Sequence, residues 1–221
     1  MSFLFKQVRI LIAKEIRLEW KHKTGFSGVM LYAISTVYIC YLSFKHIIDP
    51  ATWNALFWII MLFAATNAVA KSFMSETKGL QLFFYTLVDA RAVILAKSFY
   101  NILLLMLLSF INYCIYSILL GNIVQNQCMF LLTAMLGSIG LSLTLTLVSA
   151  IVNRANNSAA LMAVLGFPIL IPLFITTIKC SINAIDGLDW YVNQPYFIAL
   201  IALDVIILSL SYLLFPYLWR D

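Results

Sequence analysis

The stretch that decides the fold runs from Asn101 to Leu120 and reads NILLLMLLSFINYCIYSILL. It contains no charged side chain. An α-helix needs about 20 predominantly apolar residues to cross the hydrocarbon core of a bilayer. The stretch therefore predicts a transmembrane helix.

The rest of the chain repeats this pattern. Of its 221 residues, 63% are apolar and only 10% are charged, which exceeds what the core of a soluble domain can hide. Counting about 20 apolar residues per crossing predicts six spans. We therefore expect an all-α integral membrane protein in which residues 1–221 form a single transmembrane domain. The predicted spans lie near residues 26–44, 53–70, 93–120, 128–152, 158–178 and 196–218.

The distribution of lysine and arginine predicts the orientation of the spans. Six of these residues precede the first span and four belong to the connection between spans two and three or its flanks, including Lys97. Arg154 and Arg220 lie on the same side, whereas the opposite connections hold only Lys45 and Lys179. Because basic residues accumulate on the cytoplasmic side, both termini are expected in the cytoplasm. Trp53, Trp190, Tyr191 and Tyr196 would then lie at the outer membrane interface, and Trp20 and Trp219 at the inner one.

Residues 1–24 predict an amphipathic helix at the membrane surface. On a helical wheel, two acids, Glu15 and Glu19, project from the middle of the apolar arc, one turn apart. They either pair with basic groups of a partner or of the Lys71 to Arg91 loop, or they reach water from a shallow helix. The apolar arc comprises Leu4, Phe5, Val8, Leu11, Ile12, Ile16 and Trp20, and the basic arc Lys6, Lys14, Arg17 and Lys21.

The connection between spans two and three predicts a second short helix, over residues 75–89. Four apolar side chains recur at the spacing of one helical face, with Ser75 as a candidate N-cap and Glu76 near the positive end of the helix dipole. Such a helix at the membrane surface offers a docking site for a cytoplasmic partner, or is simply interfacial. The stripe consists of Leu80, Phe83, Phe84 and Leu87.

Three features inside the spans depart from uniform apolar sequence. Pro168 and Pro172 each remove a helical hydrogen bond, so span five is expected to be kinked or locally unwound. Asp204 lies inside span six, where a carboxylate costs about 3 kcal/mol, so it either faces protein or water or lies shallowly beneath the outer headgroups. Span four has a face of small residues suited to close helix contact, formed by Gly137, Ser138, Gly140, Ser142 and Ser149.

The motifs of catalysis and nucleotide binding are missing. The sequence has no G-x-x-x-x-G-K-[ST] phosphate loop and no hydrolase or metalloprotease motif, so it is not expected to be an enzyme. The four cysteines form no C-x-x-C pair and the two histidines, His22 and His46, stand alone, so no metal site is predicted. No soluble stretch is large enough to bind nucleic acid.

The order of these pieces resembles the membrane subunit of an ABC transporter, and more narrowly the cytochrome c maturation permease family called CcmB. The resemblance runs over essentially the whole chain, with Asp89-Ala90 where a Ser-Pro pair often follows the coupling helix. It is carried by Glu15 and Arg17 in KEIRLEW, by Glu76, Gly79 and Leu80 in ETKGL, by Leu95 to Lys97 in LAK, and by the segment LTLTLVSAIVNRANNSAALMAVLGFPILIPLFI.

The resemblance implies an ABC-2-like exporter fold and a set of partners. These are a CcmA-like ATPase subunit that binds ATP, a CcmC-like haem-handling protein, a CcmE-like haem chaperone and a second copy of the permease, in the bacterial inner membrane. Residues 75–89 would be the coupling helix, and Glu15, Arg17 and Glu19 would contact the ATPase. The chain would couple ATP hydrolysis to haem export or to release of the haem-loaded chaperone. The tryptophan-rich motif of CcmC is absent, so no directly bound cofactor and no haem ligand are assigned.

Two other functions fit the same sequence. An ABC-2-type permease that exports a lipid, polysaccharide or drug would share the architecture and the need for an ATPase. A membrane scaffold without transport activity would need no ATPase. The sequence leaves these alternatives open.

Overall fold

The computed structural model describes residues 2–22, 24–44, 49–74, 89–154 and 159–220. These residues form α-helices joined by short connections. The helices are α1 (Ser2–His22), α2 (Thr24–Phe44), α3 (Pro50–Met74), α4 (Ala90–Leu120), α5 (Gln127–Arg154), α6 (Ala159–Ile185) and α7 (Trp190–Arg220).

Six of the helices, α2 to α7, are long and apolar enough to cross a membrane. This confirms the predicted all-α fold with six spans. The remaining helix, α1, packs against α4 and α2. On α1, Val8 and Leu11 of the predicted apolar arc are buried, while Phe5 and Ile16 are exposed. Among the side chains that the structure describes, part of the arc therefore packs on the bundle and part does not.

The helix α5 lies at the centre of the bundle. It packs against α3, α4, α6 and α7, and residues 140–150 are all buried. By contrast, α2 exposes large apolar side chains such as Leu31 and Ile39 along its length. In a membrane, exposed apolar groups contact lipid, whereas the surface of α5 contacts protein.

One end of the bundle carries the connections 121–126 and 186–189, and we call it the short-connection end. The backbone N–H of Asn126 donates to the carbonyl of Ala184 at 3.0 Å, which ties the first connection to the last turn of α6. The Asn126 side chain also accepts from the N–H of Met129 at 3.2 Å and so caps α5. Gly121 and Gly187 have φ values of 84° and 72°, which favour glycine.

The connection between α6 and α7 is shorter than the sequence predicts. The apolar runs place the ends of these spans near residues 178 and 196, but α6 continues to Ile185 and α7 begins at Trp190. Lys179 therefore lies inside α6 rather than in a loop. The two helix ends are joined by a hydrogen bond from Asn183 Nδ2 to Asn193 Oδ1 at 2.8 Å, so polar residues remain helical there.

At the start of α3, Asp49 caps the helix at the short-connection end. Its Oδ2 accepts from the backbone N–H of Thr52 at 3.0 Å and its carbonyl accepts from the N–H of Trp53 at 2.9 Å. The hydrogen bonds from Thr52 lower the pKa of the Asp49 carboxyl below its usual value. The carboxylate that caps α3 therefore keeps its charge at neutral pH.

Candidate functional site

Polar side chains buried inside the bundle make up the candidate site. Polar groups inside a membrane protein are costly, so those that occur there mark helix contacts or pathways. They come from five helices, α3 to α7. The set is Asn54, Lys97, Ser98, Asn101, Ser109, Asn112, Thr133, Ser138, Ser142, Thr144, Thr146, Ser149, Thr177, Ser181, Asn193, Asp204 and Ser211.

The carboxyl group of Asp204 lies at a junction of three helices. The residue is near the middle of α7 and only 7% exposed. A Cβ atom added to Gly140 of α5 would lie 2.7 Å from Asp204 Oδ1 and 2.4 Å from Cδ1 of Leu173 on α6. The structure thus places the Asp204 side chain against protein, and its depth in the membrane stays a prediction. Its Oδ1 atom has no hydrogen-bond partner.

A second close contact on α5 is made by Gly137. A Cβ atom there would lie 2.4 Å from Cη2 of Trp58 on α3 and 2.9 Å from Cγ2 of Thr177 on α6. Trp58 is almost fully buried, and its Nε1 donates to Ser181 Oγ at 3.0 Å. Gly137 and Gly140 therefore act as the predicted small residues that let neighbouring helices approach α5.

Hydrogen bonds connect only part of the buried polar set. Asn101 Nδ2 of α4 donates to Thr146 Oγ1 of α5 at 2.9 Å, and Thr133 Oγ1 of α5 lies 3.1 Å from Cys180 Sγ of α6. Other buried oxygens have no partner, which is uncommon in native interiors. On α4, α5 and α7 these include Ser98 Oγ, Ser142 Oγ, Thr144 Oγ1, Ser149 Oγ and Asp204 Oδ1.

Aromatic side chains fill the bundle towards the short-connection end. Trp53 lies with its ring centroid 4.7 Å from that of Tyr116 and 5.6 Å from that of Phe130, both in edge-to-face arrangement. Tyr116 OH donates to the Trp53 carbonyl at 2.9 Å, and Trp53 Nε1 donates to the Gly121 carbonyl at 3.2 Å. These contacts close this end of the bundle.

The prediction that Trp53 belongs to the outer aromatic belt is wrong. Its side chain is fully buried, because its ring fills the space between α4 and α5. Trp190 and Tyr191, in contrast, are exposed at the start of α7, and Trp190 stacks on Phe197 at 4.9 Å. Their place at the outer membrane interface stays a prediction.

The structure places Glu15 in a pair with its neighbour on α1. Lys14 Nζ lies 3.2 Å from Glu15 Oε1, and the Glu15 side chain is 12% exposed. Lys14, which the wheel puts on the basic arc, thus reaches towards the acid. Arg17 is exposed, and the side chain of Glu19 lies outside the described residues.

The two prolines predicted to kink span five lie on α6. Pro168 and Pro172 are exposed on α6, whose α-helix runs unbroken past both; local unwinding is not seen, and a kink stays a prediction. The predicted coupling helix, with Glu76, Gly79, Leu80, Phe83, Phe84 and Leu87, lies outside the described residues.

Sequence reasoning missed Lys97 as an interior residue. From the sequence alone, Lys97 is counted as a flank of the cytoplasmic connection between spans two and three. In the structure it lies two turns into α4 and is only 3% exposed. Asn101, one turn further on, was also missed. The available signal was the run AVILAKSFYN, in which one lysine and one asparagine four residues apart interrupt an apolar helix.

Among the residues that the structure describes, no three His, Cys, Asp or Glu side chains come together as a metal site would require. The described cysteines are free thiols on separate helices. Among the described residues, the interior offers hydrogen-bonding groups and one buried carboxyl, that of Asp204.

The chain was then compared with known proteins. No curated protein sequence matches it. Residues 6–217 match the family model described as CcmB protein, which leaves only the extreme ends of the chain unmatched. The match spans α1, all six membrane helices and the connection between α3 and α4. The chain therefore belongs to the CcmB family, the membrane component of the haem-exporting ABC system for cytochrome c maturation.

Proposed function

We propose that this chain is the permease subunit that couples ATP hydrolysis by a separate, CcmA-like ATPase to haem export or to release of the haem-loaded chaperone. The family match over residues 6–217 carries this proposal. It agrees with the absence of a phosphate loop from the sequence, since the ATP must then be bound elsewhere. CcmC-like and CcmE-like proteins and a second permease copy would complete the complex in the bacterial inner membrane.

The start of α4 supports coupling between residues 75–88 and the bundle. Asp89 follows this segment directly, and its Oδ1 accepts from the N–H of Arg91 at 2.9 Å as the N-cap of α4. The Arg91 guanidinium lies 5.1 Å from the ring centroid of Tyr212 on α7, with Nη1 at 3.4 Å from the hydroxyl. A displacement of the coupling segment would thus be passed to α4 and, through Arg91, to α7.

The packing of α1 supports a second route. This helix lies against α4, and its Glu15 is held by Lys14. An ATPase that contacts both α1 and residues 75–88 would move one end of α4 from two sides. Glu15, Arg17 and Glu19 are the residues of α1 that we propose to contact it.

We propose that both termini are cytoplasmic, because 12 of the 14 lysine and arginine residues belong to that side of the predicted topology. Single cysteines introduced at residues 78 and 154, in a background without the native thiols, should be labelled by a membrane-impermeant reagent only from the cytoplasm. A cysteine at residue 186 should be labelled only from outside. Labelling of residue 78 from outside would overturn the orientation.

Purification in mild detergent tests the function itself. We expect this chain to bring down an ATPase together with a haem-handling protein, and cells that lack the chain to contain no mature cytochrome c. An ATPase alone, with normal cytochrome c maturation, would favour a permease for a lipid, polysaccharide or drug. The absence of any ATPase would favour a scaffold.

A further inference from the structure

Asp204 differs from the other unpartnered polar groups in the bundle because it can change its charge. It is 93% buried, since only 7% of its surface is exposed, and its Oδ1 has no hydrogen-bond partner. A hydroxyl left without a partner stays neutral, whereas a carboxylate in such surroundings is an uncompensated charge. A buried, unpaired carboxylate avoids this cost by taking up a proton.

The groups that pack at Gly140 beside Asp204 are uncharged. Oδ1 packs against Gly140 of α5, beside the methyl groups of Leu173 from α6. Thr144 lies one turn from Gly140 on the same face of α5, and its hydroxyl oxygen is buried without a partner.

The helices α4, α5 and α6, which pack against α7, carry basic side chains and thiols. On α4, Arg91 contacts Tyr212, two turns from Asp204 along α7. Cys180 of α6 is bonded to Thr133. Lys97 is buried two turns into α4, and Cys128 and Lys179 are exposed on α5 and α6.

We propose that Asp204 is a proton-binding site that is linked to the movement of α7. In the packing seen here, the carboxyl is protonated and neutral. When α7 moves away from Gly140 and water reaches the carboxyl, the O–H bond breaks, the proton passes to water and the carboxylate remains. When the helices close again, the carboxylate takes up a proton from water, so that each cycle of opening binds and releases one proton.

The link to Arg91 gives this site a place in the working cycle. Arg91 begins α4 directly after the coupling segment and touches Tyr212 on the same helix that carries Asp204. A movement of the coupling segment would therefore act on α7, which carries the carboxyl. The proposal rests on the proposed coupling role of residues 75–88, but not on which substrate the complex handles.

The protonation state is tested with dicyclohexylcarbodiimide, which reacts with protonated carboxyls in apolar surroundings. The full-length chain in its complex, in lipid nanodiscs, is treated over a series of pH values and the adducts are located by peptide mass spectrometry. We expect an adduct at Asp204 at neutral pH that declines as the pH rises, and none at the exposed Asp186. Asp204→Asn should abolish the adduct. The infrared C=O band of a protonated carboxyl should be lost in the same variant.

The link to movement is tested with two variants. Asp204→Asn resembles the protonated acid and should assemble with the ATPase as the wild type does, but the pH dependence of ATP hydrolysis by the complex should be lost. Asp204→Leu, which cannot satisfy a polar neighbour, should assemble less well. Asp186→Asn should retain the wild-type pH profile. Failure of Asp204 to form an adduct at any pH, or an identical pH profile in the wild type and Asp204→Asn, would overturn the proposal.

Discussion

Gly137→Ala should lower the free energy of unfolding by about 1–3 kcal/mol, the cost of adding a methyl group to a filled core. The new Cβ would lie 2.4 Å from Trp58 Cη2 and 2.9 Å from Thr177 Cγ2, distances at which atoms must move apart. Trp58 cannot yield easily, because its ring is buried and its Nε1 is hydrogen-bonded to Ser181. The added methyl group therefore weakens the packing between α3, α5 and α6.

Gly166→Ala provides the matched control on α6. It is also a buried helical glycine, but a Cβ there would lie 3.8 Å from Leu170 Cδ1 and 4.0 Å from Val148 Cγ2, which is ordinary contact. Because alanine favours the helix over glycine by about 1 kcal/mol, this variant should be as stable as the wild type or more so. Unfolding by sodium dodecyl sulfate in mixed micelles, followed by tryptophan fluorescence, measures both. Equal stability of the two variants would show that the contact at Gly137 relaxes without cost.

Phe83→Ala combined with Phe84→Ala should release the ATPase from the complex while membrane insertion stays intact. Buried aromatic anchors at an interface are each worth about 2 kcal/mol or more, roughly thirtyfold in affinity, and the two lie on one stripe with Leu80 and Leu87. Co-purification of the ATPase, ATP hydrolysis and cytochrome c maturation are the three measurements. All three should fall together.

The control for this variant is Gln81→Ala combined with Thr86→Ala. It changes two residues of the same segment that lie off the apolar stripe on a helical wheel, so ATPase binding should be retained. If the phenylalanine variant keeps a full complement of ATPase and normal maturation, residues 75–88 are merely interfacial. The docking surface would then have to be sought on α1, around Arg17.

The six spans could be predicted because a membrane imposes a length and a composition on each helix that the sequence displays directly. The ends of the helices were less predictable. Lys179 and Trp190 are polar or amphipathic enough to suggest a loop, yet both are helical because Asn183 and Asn193 pair across the two helix ends. Asn183 and Asn193 belong to two different helices, so no local sequence pattern reveals that they pair.

Of the candidate site, Asp204 and the small residues of α5 were predicted from the sequence, whereas Lys97 was not. Asp204 stands out in an apolar run, and its depth follows from counting residues. Its neighbours Gly140 and Leu173 come from two other helices, and span helices are apolar on the faces that meet lipid as well as on those that meet protein. The spacing of apolar residues therefore does not show which face of a span packs against which neighbouring helix. For the same reason Trp53 was placed at the surface although it is buried.

The central position of α5 also bears on how the chain is assembled during synthesis. Its hydroxyl-bearing residues meet protein on every side only after α6 and α7, which follow it in the chain, have entered the bilayer. The helix α4, however, is made immediately before α5, and Asn101 of α4 already offers a donor to Thr146. The two can enter the membrane as a hairpin that shields part of this polar surface from lipid. The order of helices along the chain thus gives the most protein-dependent span its first partner at the moment it is inserted.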